Sequence, residues 1–122
     1  AELIRLCPPD FKVIMGRDTL IYGALAYGAA GAVAATANVV PDLTVGIYEA
    51  VKAGDHSRAR ELQQRLAPLR GAFSIGTFPV VVKEAMAMMG IIPWGGCRKP
   101  VLPLDRNRRE KLATILKELG VI

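Results

Sequence analysis

Two short apolar runs, residues 11–15 (FKVIM) and 32–36 (AVAAT), flank a single helical pattern and constrain the fold more than any other feature of the chain. The first run follows Pro8, Pro9 and Asp10, and the second follows Gly28 and Gly31. Neither alternates polar with apolar, so each reads as a strand covered on both faces. Between them, residues 19–27 place Leu20, Ile21, Ala24 and Leu25 on one helical face. Asp18 stands where a cap belongs and Gly28 where a helix stops. A strand, a crossover helix and a second strand pair in parallel, because a hairpin needs only a few connecting residues. The fold class is therefore α/β. Two parallel strands alone leave long unpaired edges, so their neighbours are expected from sequence outside these 122 residues or from another chain.

The remainder reads as helices. Pro41 and Asp42 open one that runs to Ala53 and Gly54, with Leu43, Ile47, Ala50 and Val51 on one face. Asp55 caps the next, with Ala59, Leu62, Leu66 and Leu69 inward and Pro68 as an expected kink or break. Pro79 begins a third, which ends at Met89 and Gly90. The proline-bearing residues 91–104 are expected to cross the surface in extended form. Asp105 then caps a last helix, where Leu112, Ile115, Leu116 and Leu119 share a face before Gly120. No internal repeat or low-complexity tract interrupts this order.

Composition removes several function classes. With 52% hydrophobic residues a packed core is expected and disorder is not. Residues 21–40 form the longest uncharged stretch, but Gly23, Gly28 and Gly31 interrupt it, so it reads as buried core and not as a membrane span. The N-terminal AELIRL has no basic region followed by an apolar signal core, so a cytoplasmic protein with two reduced thiols, Cys7 and Cys97, is expected. One histidine and two cysteines without CxxC spacing give no metal-ligand set, and no cofactor is expected. The net charge of +5 reflects in part the basic residues at 106–111. They occupy a helix that is apolar on its other side and lack interleaved aromatics for stacking bases, so a solvated face fits better than a nucleic-acid site.

Chemistry is expected in the loops that follow the strands, since ligands of parallel α/β sheets and barrels bind beyond the strand C-termini. Those loops hold Gly16, Arg17 and Asp18, and Thr36, Ala37 and Asn38. Gly16 allows backbone to approach a ligand, and the helix that follows offers free amides to a carboxylate. A tight turn with a helix cap explains the same residues equally well.

The segments FKVIMGRD, GALAYGAAGAVAATANVVP, YEAVKAGDHSRARELQQRLAPL, PVVVKEAMAMMGI and RKPVLPL, taken in order, resemble the C-terminal portion of the dihydrodipicolinate synthase and N-acetylneuraminate lyase family. The resemblance implies a (β/α)8 TIM barrel followed by a helical segment. Residues 11–15 would be its seventh strand, residues 32–36 its eighth, and residues 1–6 the end of its sixth helix. Residues 1–54 would close the barrel and residues 55–122 form the helical segment. The family's reaction joins pyruvate or another 2-keto acid to an aldehyde, or cleaves the product, through a Schiff base on a sixth-strand lysine, with a fourth-strand tyrosine as proton relay. Neither residue has a counterpart here, so the N-terminal barrel segment is a missing partner. The chain alone is expected to be inactive, or to serve only as a non-catalytic fragment or assembly unit. A homotetramer or dimer is implied for the complete protein.

Two family roles fall on this chain. Gly16 matches the glycine beside the bound substrate, and Val33 matches the eighth-strand residue whose carbonyl faces the imine, its side chain being ordinary core. Lys83 matches a structural lysine of the C-terminal helices, and Tyr22, Tyr27 and Tyr48 are helix residues unsuited to the relay. Thr19 and Ala35 replace the acidic and serine residues of the sialic acid lyases, which disfavours a long sugar-acid chain. Arg17 replaces an acidic residue of the synthases, and GTFPVVVK stands for their PNPIPVK. A synthase of lysine biosynthesis, a 2-keto-3-deoxy sugar-acid aldolase and a hydroxy-oxoacid aldolase all stay open.

Overall fold

The computed structural model describes residues 1–122. Helix α1 spans Glu2–Leu6, strand β1 Ile14–Met15, helix α2 Ile21–Ala26 and strand β2 Gly31–Ala32. Helices α3 (Pro41–Lys52), α4 (His56–Ala72), α5 (Val80–Met88) and α6 (Arg106–Glu118) follow, with 3-10 turns at Asp18–Leu20, Ala35–Asn38 and Phe73–Ile75. The two strands pair in parallel, Ile14 opposite Gly31 and Met15 opposite Ala32, and α2 packs across them. Backbone bonds from the Ala30 amide to the Val13 carbonyl (2.8 Å) and from the Val33 amide to the Met15 carbonyl (2.9 Å) carry the ladder one step further at each end.

Both strands are shorter than the apolar runs suggest. The second ends because residues 35–38 wind into a 3-10 turn, so Ala35 and Thr36 are not strand. Their exposure also differs from expectation. Ile14 and Val33, on one face of the strand pair, are exposed, Val33 to 73%, because no element of these 122 residues lies over that face. Asp18 does not cap the following helix; its carboxylate turns instead to Thr36. Within α2, Ile21 and Leu25 are buried and Leu20 is exposed. Gly28 closes the helix with φ +101°, a backbone conformation that costs other residues energy.

The core lies among the helices. Ile47 of α3, Leu66 and Leu69 of α4, Val80 and Val81 of α5, and Leu112 and Leu116 of α6 are fully buried in one cluster with Ile21. Each such side chain stabilises by about 1.5–3 kcal/mol relative to exposure. Asp55 and Asp105 start α4 and α6 by accepting from the amides of Arg58 (2.9 Å) and Arg108 (2.8 Å). Helix α4 continues through Pro68 to Ala72, so the proline does not break it.

Residues 91–104 lack regular structure, but the segment is not wholly superficial. Gly95 lies against α5 so closely that an added Cβ would come within 2.6 Å of Glu84 backbone. The Lys83 ammonium donates to the Gly96 carbonyl and sits 5.5 Å from the Trp94 ring centroid. Buried Glu84 pairs with Arg109 of α6. Lys83 and Glu84 therefore bind the crossing segment and α6 to α5.

Candidate active site at the strand ends

Beyond the C-terminal ends of β1 and β2 lies an open hollow lined by Gly16, Asp18, Val33, Asn38, Arg70 and Phe78, among others. Parallel register brings its first two sequence candidates together. Gly16 directly follows β1 and Val33 directly follows β2, so strands paired at Met15 and Ala32 place the next residues side by side. Gly16 does not take a left-handed backbone, and a Cβ added there meets nothing within 4 Å. The positive-φ turn that would have explained this glycine structurally is absent. The Val33 side chain, which nothing in these 122 residues covers, lines the hollow.

The two loops are locked by a carboxylate. Asp18, buried to 4% exposure, accepts at Oδ2 from the Thr36 amide (2.8 Å) and the Thr36 hydroxyl (2.7 Å). Its Oδ1 lies 3.7 Å from Nε of Arg70 on α4, whose guanidinium stacks 5.0 Å from the Phe73 ring centroid. Gln63 of the same helix donates to the Asp18 carbonyl (2.9 Å) and accepts from the Tyr22 amide (3.0 Å). Helix α4 is thus fastened to the loop after β1 at two points and to α2 at a third. Charge-assisted bonds to a buried carboxylate are stronger than neutral ones, so this arrangement fixes where the backbone around Gly16 and Val33 sits.

Other candidates lie elsewhere. Tyr48 and Lys52 line a larger hollow at the opposite, N-terminal ends of the strands, with Phe11, Lys12 and Val13. Tyr22 places its hydroxyl 3.5 Å from His56 Nδ1, and Tyr27 is exposed at the end of α2. No tyrosine or lysine of the chain lines the Gly16–Val33 hollow. No group of three or more His, Cys, Asp or Glu side chains is arranged to hold a metal ion, and no helix is long and apolar enough to cross a membrane. Arg70 and Phe78 escaped the sequence reading because α4 and the turn that precedes α5 fold back over the strand ends from far along the chain. A lone arginine on the partly apolar side of α4 was the one available signal.

The model of the dihydrodipicolinate synthetase family matches residues 1–119. The chain belongs to this family. It is 38% identical over all 122 residues to a 4-hydroxy-tetrahydrodipicolinate synthase of Archaeoglobus fulgidus and 39% identical to one of Thermodesulfovibrio yellowstonii, and it spans 42% of the length of each. Among solved structures it resembles a dihydrodipicolinate synthase variant described as monomeric, with TM-score 0.92 and 30% identity, covering 99% of this chain and 40% of that one. A prophage protein of the dihydrodipicolinic acid synthase family from E. coli, solved with pyruvate, gives TM-score 0.86 and 30% identity over 93% of this chain and 39% of that one. The chain thus matches about two fifths of the length of TIM-barrel proteins of the dihydrodipicolinate synthetase family.

Proposed function

We propose that these residues form the seventh and eighth β/α units, at 1–54, and the C-terminal helical segment, at 55–122, of a pyruvate-dependent lyase. The hollow that joins Gly16 to Val33 at the C-terminal ends of two parallel strands carries this reading, because that end of a barrel is where its chemistry sits. In the complete enzyme, a lysine outside this chain condenses with the ketone of pyruvate, losing water to give an iminium ion. Loss of a methyl proton moves the electron pair toward nitrogen and yields an enamine. The enamine carbon attacks the aldehyde carbonyl, and hydrolysis of the new imine releases product and lysine. Gly16 leaves room beside the imine, and Val33 presents its main-chain carbonyl to it. The Asp18–Thr36 bridge holds both in place.

The reaction this resembles most is that of a 4-hydroxy-tetrahydrodipicolinate synthase, the activity for which the relatives above are named. Arg17, where the synthase pattern is acidic, favours as second reading a 2-keto-3-deoxy sugar-acid or hydroxy-oxoacid aldolase. A cytoplasmic homotetramer or dimer is part of the proposal for the whole enzyme. Pyruvate consumption by the complete enzyme, followed with a panel of aldehydes, tests it. Turnover that needs both reactants supports the assignment, and failure of every aldehyde to draw down pyruvate overturns it.

A further inference from the structure

The larger hollow, at the N-terminal ends of the strands, has a volume of about 560 Å³ and takes its walls from α1, α2, α3 and the residues leading into both strands. Lys12 and Lys52 line it, and no acidic side chain does. Neither lysine belongs to an ion pair, although Asp10 and Glu49 lie close in sequence. The Lys52 ammonium sits 5.5 Å from the Tyr48 ring centroid, which ties one of the two cations to another residue of the hollow. Tyr48, 38% exposed, adds a phenol hydroxyl that can donate a hydrogen bond. Ile4 of α1, Leu25 of α2 and Val51 of α3 supply apolar wall. A cavity of this size, apolar in lining with a few polar groups, has the make-up of a small-molecule site. Two like charges lining one hollow repel each other, and an entering anion with two negative charges relieves that repulsion while pairing with both.

We infer that this hollow binds a small organic dianion, a dicarboxylate or a phosphate ester. Each ammonium is a compact charge with three donors on a flexible stem, so recognition depends on the number of negative charges more than on their exact spacing. The apolar wall takes the carbon skeleton between or beside them. The assignment concerns the opposite ends of the strands from Gly16 and Val33, and it does not depend on the reaction proposed above. Two explanations compete with it. The lysines are solvated charges that guard the starts of the strands, or a carboxylate from the rest of the barrel already pairs with them. Both predict that the complete protein takes up no dianion here.

The experiment is calorimetric titration of the complete protein with succinate, with phenyl phosphate and, as a monoanion control, with butyrate, each with and without saturating pyruvate. The expected result is binding of succinate or phenyl phosphate at one site per chain, with butyrate at least about 10-fold weaker. The tighter of the two dianions identifies the group recognised. Lys12→Gln and Lys52→Gln should each weaken that binding by about fivefold or more, and Lys52→Arg, which keeps the charge, by less. Both lysines are exposed, so the melting temperatures of these variants should match the wild type. Pyruvate should leave the affinity unchanged. Failure of both dianions to bind, equal affinity in the wild type and both glutamine variants, or displacement of the dianion by pyruvate overturns the assignment.

Discussion

Asp18 holds the loop after β2 by two short hydrogen bonds while lying almost wholly out of water. Replacing it with asparagine keeps one oxygen for the two Thr36 donors but removes the charge that strengthens both bonds, and puts an amide NH2 where Oδ1 faces Arg70. Asp18→Asn is expected to destabilise by about 1–3 kcal/mol, read from the urea midpoint. An unchanged midpoint would show that the bridge contributes nothing. Gly16→Ala separates two explanations of that glycine. Its backbone is not left-handed and its Cβ position is empty, so the melting temperature should stay the same. In the complete enzyme, however, the added methyl should raise KM or lower kcat, and normal kinetics would remove Gly16 from the site. That Gly16 lies just beyond a strand was legible in the sequence, but its pairing with Val33 was not: the apolar run 32–36 put the end of the second strand at Thr36, whereas that strand ends at Ala32. The turn of Asp18 away from the helix amides was not legible either, since a carboxylate before a helix serves a cap equally well and only the position of Thr36 in space decides between them.

Helix boundaries were legible wherever local chemistry fixes them. Asp55 and Asp105 cap as their positions before apolar periodic segments require, and Gly54 and Gly120 end α3 and α6 in left-handed conformations. Asp105→Ala should cost about 1 kcal/mol, seen as a lowered melting temperature, because Arg108 loses its amide partner. Leu66→Ala, at a fully buried position of α4, should cost about 2–5 kcal/mol by denaturant titration. A loss below 1 kcal/mol would mean that α4 is not the centre of the core. Strand lengths were less legible. Alanine-rich residues 32–36 suit a strand or a turn, and the Thr36 bond to Asp18 lies with the turn. Pro68 was expected to kink or break α4, yet the helix runs past it, with Leu66 and Leu69 on either side fully buried. Packing of those neighbours outweighs the missing amide.

The whole chain has a well-buried helical core and a strand pair that is open on one face, with Ile14 and Val33 exposed there. Covered strands are what the uninterrupted apolar runs specify, so the open face is where the remaining barrel strands of the complete enzyme are expected to lie. Membership in the dihydrodipicolinate synthetase family was legible because short segments agree in order across the chain, although each alone is weak. The place of Arg70 in the hollow was not legible, since it comes there only through tertiary folding. The central claim is that this chain shapes a pyruvate Schiff-base site whose lysine lies elsewhere. Reduction of the complete enzyme with borohydride in the presence of pyruvate, followed by peptide mass mapping, tests it most directly. The expected result is a single pyruvyl-modified lysine outside these 122 residues. A pyruvyl adduct on Lys12, Lys52, Lys83, Lys99, Lys111 or Lys117 would contradict the account.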